Sequence, residues 1–285
     1  MKTNKNLFAC TALLALVLNE SPAATTNLYA PYNTTFVLAI GSPSAASATN
    51  GTVTQVPGFT NSIGGNTGNA VHFDNTSSLD YGASSSYVPD FGNSIIGVKS
   101  NTFRLLFKPD FSGNPTSFRA NFLGIGALGS GDGIYLGHSD NSGTPGLRIN
   151  FGTGGFKDTI IPGGSGFAWN SSTWYYVAGS LDANGSMFYI RALTNGSQAF
   201  TSTLAYSGVN WGNGGFGSTA LRVGGRWNVS TEGARGTIDE ALIVNNAKWN
   251  ADNFNYDFAV IIPEPTAAAL VLLGLCGVAI RRLRR

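Results

Sequence analysis

Hydrophobic and polar positions alternate in short runs along most of this chain, and no helical period emerges from them. In "NTFRLLFKPD" (101–110), Phe103, Leu105 and Phe107 share one face of a strand and Arg104 and Lys108 the other, until Pro109-Asp110 ends it. The stretch 174–203 predicts a three-strand meander: "WYYVAGSL", a turn at "DANG", "MFYIRA", a turn at Asn195-Gly196, and a returning strand. Asn-Gly between such runs is a strong hairpin signal, because both residues tolerate the positive φ of a type I′ turn. Shorter strands are expected at 34–40, 70–74, 79–81, 120–125, 133–137, 146–151, 220–225 and 236–244, with small-residue loops at 41–51 and 61–69 and one helical turn within 247–257. Short strands separated by Gly-rich turns indicate a sandwich or jelly roll.

Two runs break the alternation. Residues 7–18 (LFACTALLALVL) follow Lys2 and Lys5 and precede Ser21-Pro22-Ala23-Ala24. A positive segment, an apolar segment and small residues in that order form a secretory signal peptide over 1–24, cut after Ala23 or Ala24. The second run, 266–280, has 15 apolar-rich residues before Arg281, Arg282, Arg284 and Arg285. As a helix it would reach ~22 Å, short of the ~20 residues that span a bilayer comfortably. The arginines would stay on the cytoplasmic side as a membrane stop, so a C-terminal hydrophobic helix is expected to hold the chain at the membrane, at least transiently.

Composition changes once both ends are set aside. Lys2, Lys5 and the four C-terminal arginines are six of 17 basic residues, and Glu20 and Glu264 are two of 15 acids, so the body carries 11 basic and 13 acidic residues. A slightly acidic body gives no electrostatic footprint for nucleic acid. Cys10 and Cys276 both lie in the terminal segments, so the body folds without disulfides and offers no thiol for catalysis or zinc.

Pro263-Glu264-Pro265, the apolar run and the terminal arginine cluster together resemble the PEP-CTERM sorting signal of Gram-negative bacteria. That resemblance implies an exosortase-type membrane enzyme as partner, cleavage near Pro-Glu-Pro, and delivery to the cell surface, outer envelope or extracellular polysaccharide matrix. A tail anchor that is never cut is the other reading. Within the body, "TFRLLFKPD", "WYYVAGSLDANGSMFYI", "LRVGGR" and "GTIDEALIV" follow one another in an order that resembles the concanavalin A-like, laminin-G-type jelly roll over 71–245. The second meander strand departs from that pattern, with Arg191-Ala192-Leu193 where Val-Asp-Gly is usual. The resemblance implies an all-β, two-sheet antiparallel sandwich: signal peptide 1–24, N-terminal strand and loop region 25–70, jelly roll 71–258 and sorting segment 261–285.

Some proteins of that superfamily cleave glycans, which takes two carboxylates flanking the scissile bond. The body has two glutamates, Glu232 and Glu240, and no clustered acidic strand. Asp239 and Glu240 are neighbours and would point to opposite faces of a strand. His72 and His138 stand alone, and no nucleophile, zinc-protease or phosphate-loop motif occurs. No enzyme is expected. A structural Ca²⁺ is the one candidate cofactor. The resemblance implies Asp239 for it, with Asp132 and Asp140 in Gly-rich loops as alternatives. Each has a plainer role open to it: backbone capping or pairing with Arg222 or Arg226 near 239, turn chemistry at 132 and 140. For stacking against a sugar ring, Trp211, Trp227 and Trp169 lie in polar, Gly-rich surroundings, with packing in the core as the alternative. The expected protein is an exported, non-catalytic surface or matrix module that binds polysaccharide or another matrix component. A purely structural or adhesive coat protein, and less favoured a glycan hydrolase, are the alternatives. Mass spectrometry of the protein isolated from its host is expected to find a chain that begins after Ala23 or Ala24; a chain retaining Lys2 and Lys5 contradicts export.

Overall fold

In strand β6 (Asn101–Pro109), Phe103, Leu105 and Phe107 are fully buried on one face, as their spacing requires. The computed structural model describes residues 25–30, 48–59, 68–83, 100–126, 132–139, 142–151, 156–194, 196–206, 220–225, 232–245 and 247–261. Strand β6 lies inside an eight-stranded sheet. Its order is β13 (Ala199–Ala205), β12 (Gly185–Ala192), β11 (Tyr175–Leu181), β6, β15 (Arg235–Asn245), β4 (Asn69–Asp74) and β3 (Val53–Pro57). Strand β1 (Thr25–Ala30) pairs with the last residues of β15, beyond the part that β4 occupies. A seven-stranded sheet runs β10 (Phe156–Ile160), β9 (Thr144–Phe151), β8 (Asp132–Ser139), β7 (Ala120–Gly126), β14 (Ala220–Val223), β5 (Ser78–Ala83) and β2 (Ala48–Asn50). Every pairing is antiparallel.

The all-β, two-sheet antiparallel sandwich expected from the sequence is therefore the observed architecture. The meander forms as β11, β12 and β13, with the Asp182 carboxylate accepting the backbone N–H groups of Asn184 and Gly185 to close the first turn. Strand β2 falls inside a stretch that composition assigns to a loop, and β1, β3 and β10 have no clear alternation of their own. The strand expected at 34–40 lies outside the described residues.

The core fills the space between the sheets. Phe107 of one sheet stacks on Phe122 of the other at 4.0 Å, and the Trp169 ring meets both edge-on at 5.5 and 5.8 Å. Buried aliphatics surround this group: Leu105, Val177 and Ile190 from the eight-stranded sheet, Ile134, Leu136 and Leu147 from the seven-stranded one. The Thr159 and Ser186 hydroxyls bond across the gap at 2.5 Å, so β10 and β12 share a polar contact. In "LRVGGR", Gly224 has φ +76°, and a Cβ there would run into the Phe73 ring; glycine satisfies both demands.

The outer face of the eight-stranded sheet is covered too. A three-turn helix, α1 (Ala251–Ile261), lies on it in place of the single turn expected within 247–257. Asn250 and Asn253 cap its start reciprocally, each side-chain oxygen accepting the other's backbone N–H at 3.0 Å. Phe254 and Phe258, four residues apart, sit on Tyr176, Tyr189 and Leu106. Beneath the helix Arg104 is nearly buried. Its Nε donates to Asp257 of α1 at 3.1 Å and its Nη1 to the Glu240 carbonyl at 2.7 Å. The Tyr176 hydroxyl donates to the same Asp257 carboxylate at 2.8 Å.

The expected membrane-spanning helix is corrected by this arrangement. Among the described residues no helix is long and apolar enough to cross a membrane. The one helix near the C-terminal end has 11 residues and spends its apolar side on the sheet. The run 266–280, the motif Pro263-Glu264-Pro265 and the residues Arg281, Arg282, Arg284 and Arg285 lie outside the described residues.

Burial, and the Asp257 carboxylate beside it, push the Tyr176 phenol well above its ordinary value, and burial raises Tyr175, Tyr189 and Tyr206 as well. The folded state thus holds protons that the unfolded chain releases above pH ~10, so stability is intact below that pH and falls as pH rises further. Thermal melts between pH 7 and 11 are expected to show a constant midpoint up to about pH 9.5 and a steep decline beyond it. Tyr176→Phe should make that decline shallower while costing ~1–3 kcal/mol at neutral pH for the lost bond to Asp257.

Candidate functional site

Side chains that alternate with the core positions of the seven-stranded sheet point away from the sandwich. The register sets Asp158, Arg148, Tyr135, Gly124, Arg222 and Asp80 in one row across β10, β9, β8, β7, β14 and β5. Ion pairs close both ends of the row. Arg148 donates through Nε and Nη2 to the two Asp158 oxygens at 2.6 and 2.7 Å, a bidentate pair between adjacent strands. Arg222 reaches Asp80 at 3.3 Å.

The adjacent row holds Ile160, Gly146 and Gly137 side by side. A Cβ on Gly146 would meet the Ile160 methyl at 2.6 Å and the Thr159 carbonyl at 2.8 Å, and one on Gly137 would strike the Ala120 carbonyl. Both positions are closed to any side chain, so the sheet surface sinks there. The result is a depression of about 370 Å³, part of it open solvent. Its floor is the two glycines. Arg148, Asp158 and Tyr135 stand on one side, Arg119 and Asn121 on another, and Ser139 and Ile160 complete the rim. Asn121 sits where β7 bulges, and its backbone N–H and side-chain amide both donate to the Glu232 carbonyl. The Glu232 carboxylate lies 3.6 Å from Arg119. Arg119, Arg148 and Asp158 thus line the depression, and each guanidinium is paired with a carboxylate, Glu232 reaching Arg119 from outside the lining.

His138 forms part of the depression's lining but faces the core. Its Nδ1 accepts from the Trp169 indole at 3.2 Å, so Nε2 carries the proton and donates to the Pro115 carbonyl at 2.7 Å. Both ring nitrogens are committed, and neither is directed to solvent as base or metal ligand. His72 bonds Asp110 at 2.8 Å on another part of the surface.

The residues singled out from the sequence are placed elsewhere. Trp169 is 2% exposed and belongs to the core, which corrects its reading as a stacking platform. Trp211 and Trp227 lie outside the described residues, as does Asp140; Asp132 opens β8 opposite Phe151. Asp239 is fully buried, and its carboxylate accepts the backbone N–H groups of Phe59 at 3.2 Å and Glu240 at 2.9 Å, the capping role left open for it. Arg222 pairs with Asp80 rather than with Asp239, and Arg226 lies outside the described residues. The simple alternation of Asp239 and Glu240 fails, because β15 bulges there: Glu240 has φ +51°, and its carboxylate turns to within 3.9 Å of Arg104. Among the described residues no group of three or more His, Cys, Asp or Glu side chains could hold a metal ion.

Sequence reasoning missed Arg148, Asp158, Gly137 and Gly146. Their signal is a pairing of three strands, and only Gly137 and Gly146, interrupting otherwise β-rich runs, hinted at a close approach.

No protein-family model matches the chain, and no curated protein matches it. Solved structures share the sandwich loosely. The enzymatically active domain of tailspike protein 2 from bacteriophage CBA120 is 16% identical, with 71% of this chain and 28% of that one covered, at a TM-score of 0.47. The CBM40 domain of the Ruminococcus gnavus IT-sialidase, bound to α2,3-sialyllactose, is 16% identical over 67% and 95% of the two chains, at 0.43. The LG1–3 region of the laminin α2 chain is 15% identical over 64% and 32%, at 0.42. The chain spans about a quarter of the tailspike chains that it matches, 28% and 25%. Likeness at this level carries no functional argument, and the architecture stands on the strand pairing itself.

Trp169→Ala is expected to destabilise the fold by ~3–5 kcal/mol, the range for emptying a large aromatic site. Urea unfolding followed by circular dichroism measures this, and a cost below ~1 kcal/mol would contradict the core assignment.

Proposed function

We propose that the protein is a non-catalytic carbohydrate-binding module and that its ligand, a neutral saccharide, sits in the depression on the seven-stranded sheet. One observation carries the reading: a side-chain-free floor at Gly137 and Gly146 is walled by the Arg148–Asp158 pair. A sugar ring is amphipathic. Its C–H face suits a flat backbone floor beside Ile160, and its hydroxyls suit charged groups already fixed in place, since hydrogen bonds to ionised partners are the stronger ones.

Charge supports neutrality of the ligand. An anionic group seeks the planar fork of an arginine, and the Nε and Nη2 donors of Arg148 already hold Asp158. A carboxylate or sulfate would have to displace that partner. Asp158, which lines the depression, and Glu232, which pairs with the lining Arg119, are each engaged by a guanidinium. That arrangement suits hydroxyl recognition better than the paired acid and nucleophile of glycoside cleavage. The leader over 1–24 and the motif Pro263-Glu264-Pro265 support an exported location, with an exosortase-type enzyme as the processing partner.

A panel of neutral and acidic glycans presented to the purified protein tests this. Neutral members are expected to be retained. Arg148→Met should weaken retention ~10–100-fold, the equivalent of one or two charge-assisted bonds, in a protein whose near-ultraviolet spectrum is unchanged. Retention of acidic glycans alone, or full retention by folded Arg148→Met, would refute the assignment of this site.

A further inference from the structure

We propose that this site takes a chain of sugar rings rather than a single ring, with Phe156 as the stacking platform for the second ring. The inference rests on the carbohydrate reading of the depression and adds a ligand length and a residue to it.

Among the described residues three large hydrophobic side chains are exposed, Phe156, Tyr256 and Val260. Tyr256 and Val260 belong to α1, on the opposite side of the sandwich. Phe156, 47% exposed, stands alone on the seven-stranded sheet. Strand β10 places Phe156, Asp158 and Ile160 on one face, and Ile160 and Asp158 both line the depression. A single exposed phenylalanine is unremarkable by itself. This one continues the row of site residues by one step, about 7 Å along the strand.

Three further observations tie it to the site. The Arg148 guanidinium lies 5.2 Å from the Phe156 ring centroid and is fixed in turn by both Asp158 oxygens. The platform and the charged wall are thus one assembly, ordered before any ligand arrives, which lowers the entropic cost of binding. The register puts Gly133 in the Phe156 row, two strands in from the edge, so on β8 a side-chain-free position recurs there as at Gly137. The face therefore runs from the glycine floor at Gly137 and Gly146, past the Arg148–Asp158 pair, to the Phe156 ring, with β9 lying between Phe156 and Gly133. That path covers two strand steps, about 13 Å, which is more than one ring occupies. An aromatic face stacks on the C–H side of a sugar, and the flanking pair offers donors and acceptors to the hydroxyls on either side of the linkage.

Isothermal titration with linear neutral series built on glucose, mannose and galactose, each from one to six units, reads the length dependence. For the series that binds, affinity is expected to rise about tenfold or more between one and three units and then level off. In Phe156→Ala the ratio of trimer to monomer affinity should fall to near one, and Phe156→Trp should keep it. Affinity independent of length, or a length gain that persists in Phe156→Ala, would overturn the extended site while leaving the single-ring reading in place. If no series binds, the carbohydrate reading and this extension fall together.

Discussion

Everything on the seven-stranded face rests on what Trp169 does beneath it. The indole is buried in the core, edge-on to Phe107, Phe122, Phe111 and Phe167, and it carries one polar atom into that apolar setting. A buried N–H without a partner costs roughly 1–3 kcal/mol. Its partner is His138 Nδ1, which obliges the histidine to donate from Nε2, and the Pro115 carbonyl accepts. The chain of two bonds fixes β8, the segment after β6 and the long loop that carries Trp169, which also forms a backbone bridge to Gly113. His138 is the residue after Gly137. Its commitment to the core side holds the neighbouring glycine on the outer side, where the depression opens.

The two sheets differ in what covers them. Arg104 occupies the middle of a central strand, a place where an unpaired charge would cost several kcal/mol. Asp257 and the Glu240 carbonyl take its donors, and Asp257 arrives on α1. The same docking buries Phe254 and Phe258 over Tyr176 and Tyr189. Helix and sheet therefore need each other: the helix is too short to persist in water unaided, and the sheet would otherwise expose aromatic rings. On the eight-stranded sheet the outer face is thus spent on packing. On the seven-stranded sheet the matching positions hold cross-strand ion pairs and glycines, and that face retains a surface suited to a ligand.

Much of this was legible in the chain and some was not, for identifiable reasons. Alternation located β6, where Phe103, Leu105 and Phe107 face the core, whereas β11 and β12, buried on both faces, were legible from their aromatic and β-branched runs and the turns between them. It failed for β2 and β10, where "ATN" and "FKDTI" have too few apolar residues to show any period. The sequence shows only a turn where α1 forms because Asn250 to Asn255 contain three asparagines and an aspartate; the reciprocal Asn250–Asn253 cap turns two of them into a start signal. Trp169 reads as a surface platform in the sequence because a polar, Gly-rich neighbourhood looks alike whether the ring points in or out. The ion-paired wall needed the register of β9 on β10, which sequence does not state. Glu240 deceived the alternation rule at a bulge that no residue in "TIDEALI" announces.

The depression follows from two close approaches of backbone. Strand β7 bulges between Asn121 and Leu123, and the Glu232 carbonyl holds the bulge by accepting from both the backbone and the side chain of Asn121. The bulge pushes the Ala120 carbonyl towards β8, into the volume that a Cβ on residue 137 would fill. Glycine is then the one residue that fits, and its cost in strand stability is accepted at that point. Next to it Gly146 answers a second close approach, from Thr159 and Ile160 of the edge strand. Two independent steric demands thus place two missing side chains side by side, and the surface sinks between them. Because Arg148, Asp158 and Tyr135 stand on paired strands, they keep their spacing without a ligand to organise them, which is the condition under which a shallow site can bind selectively.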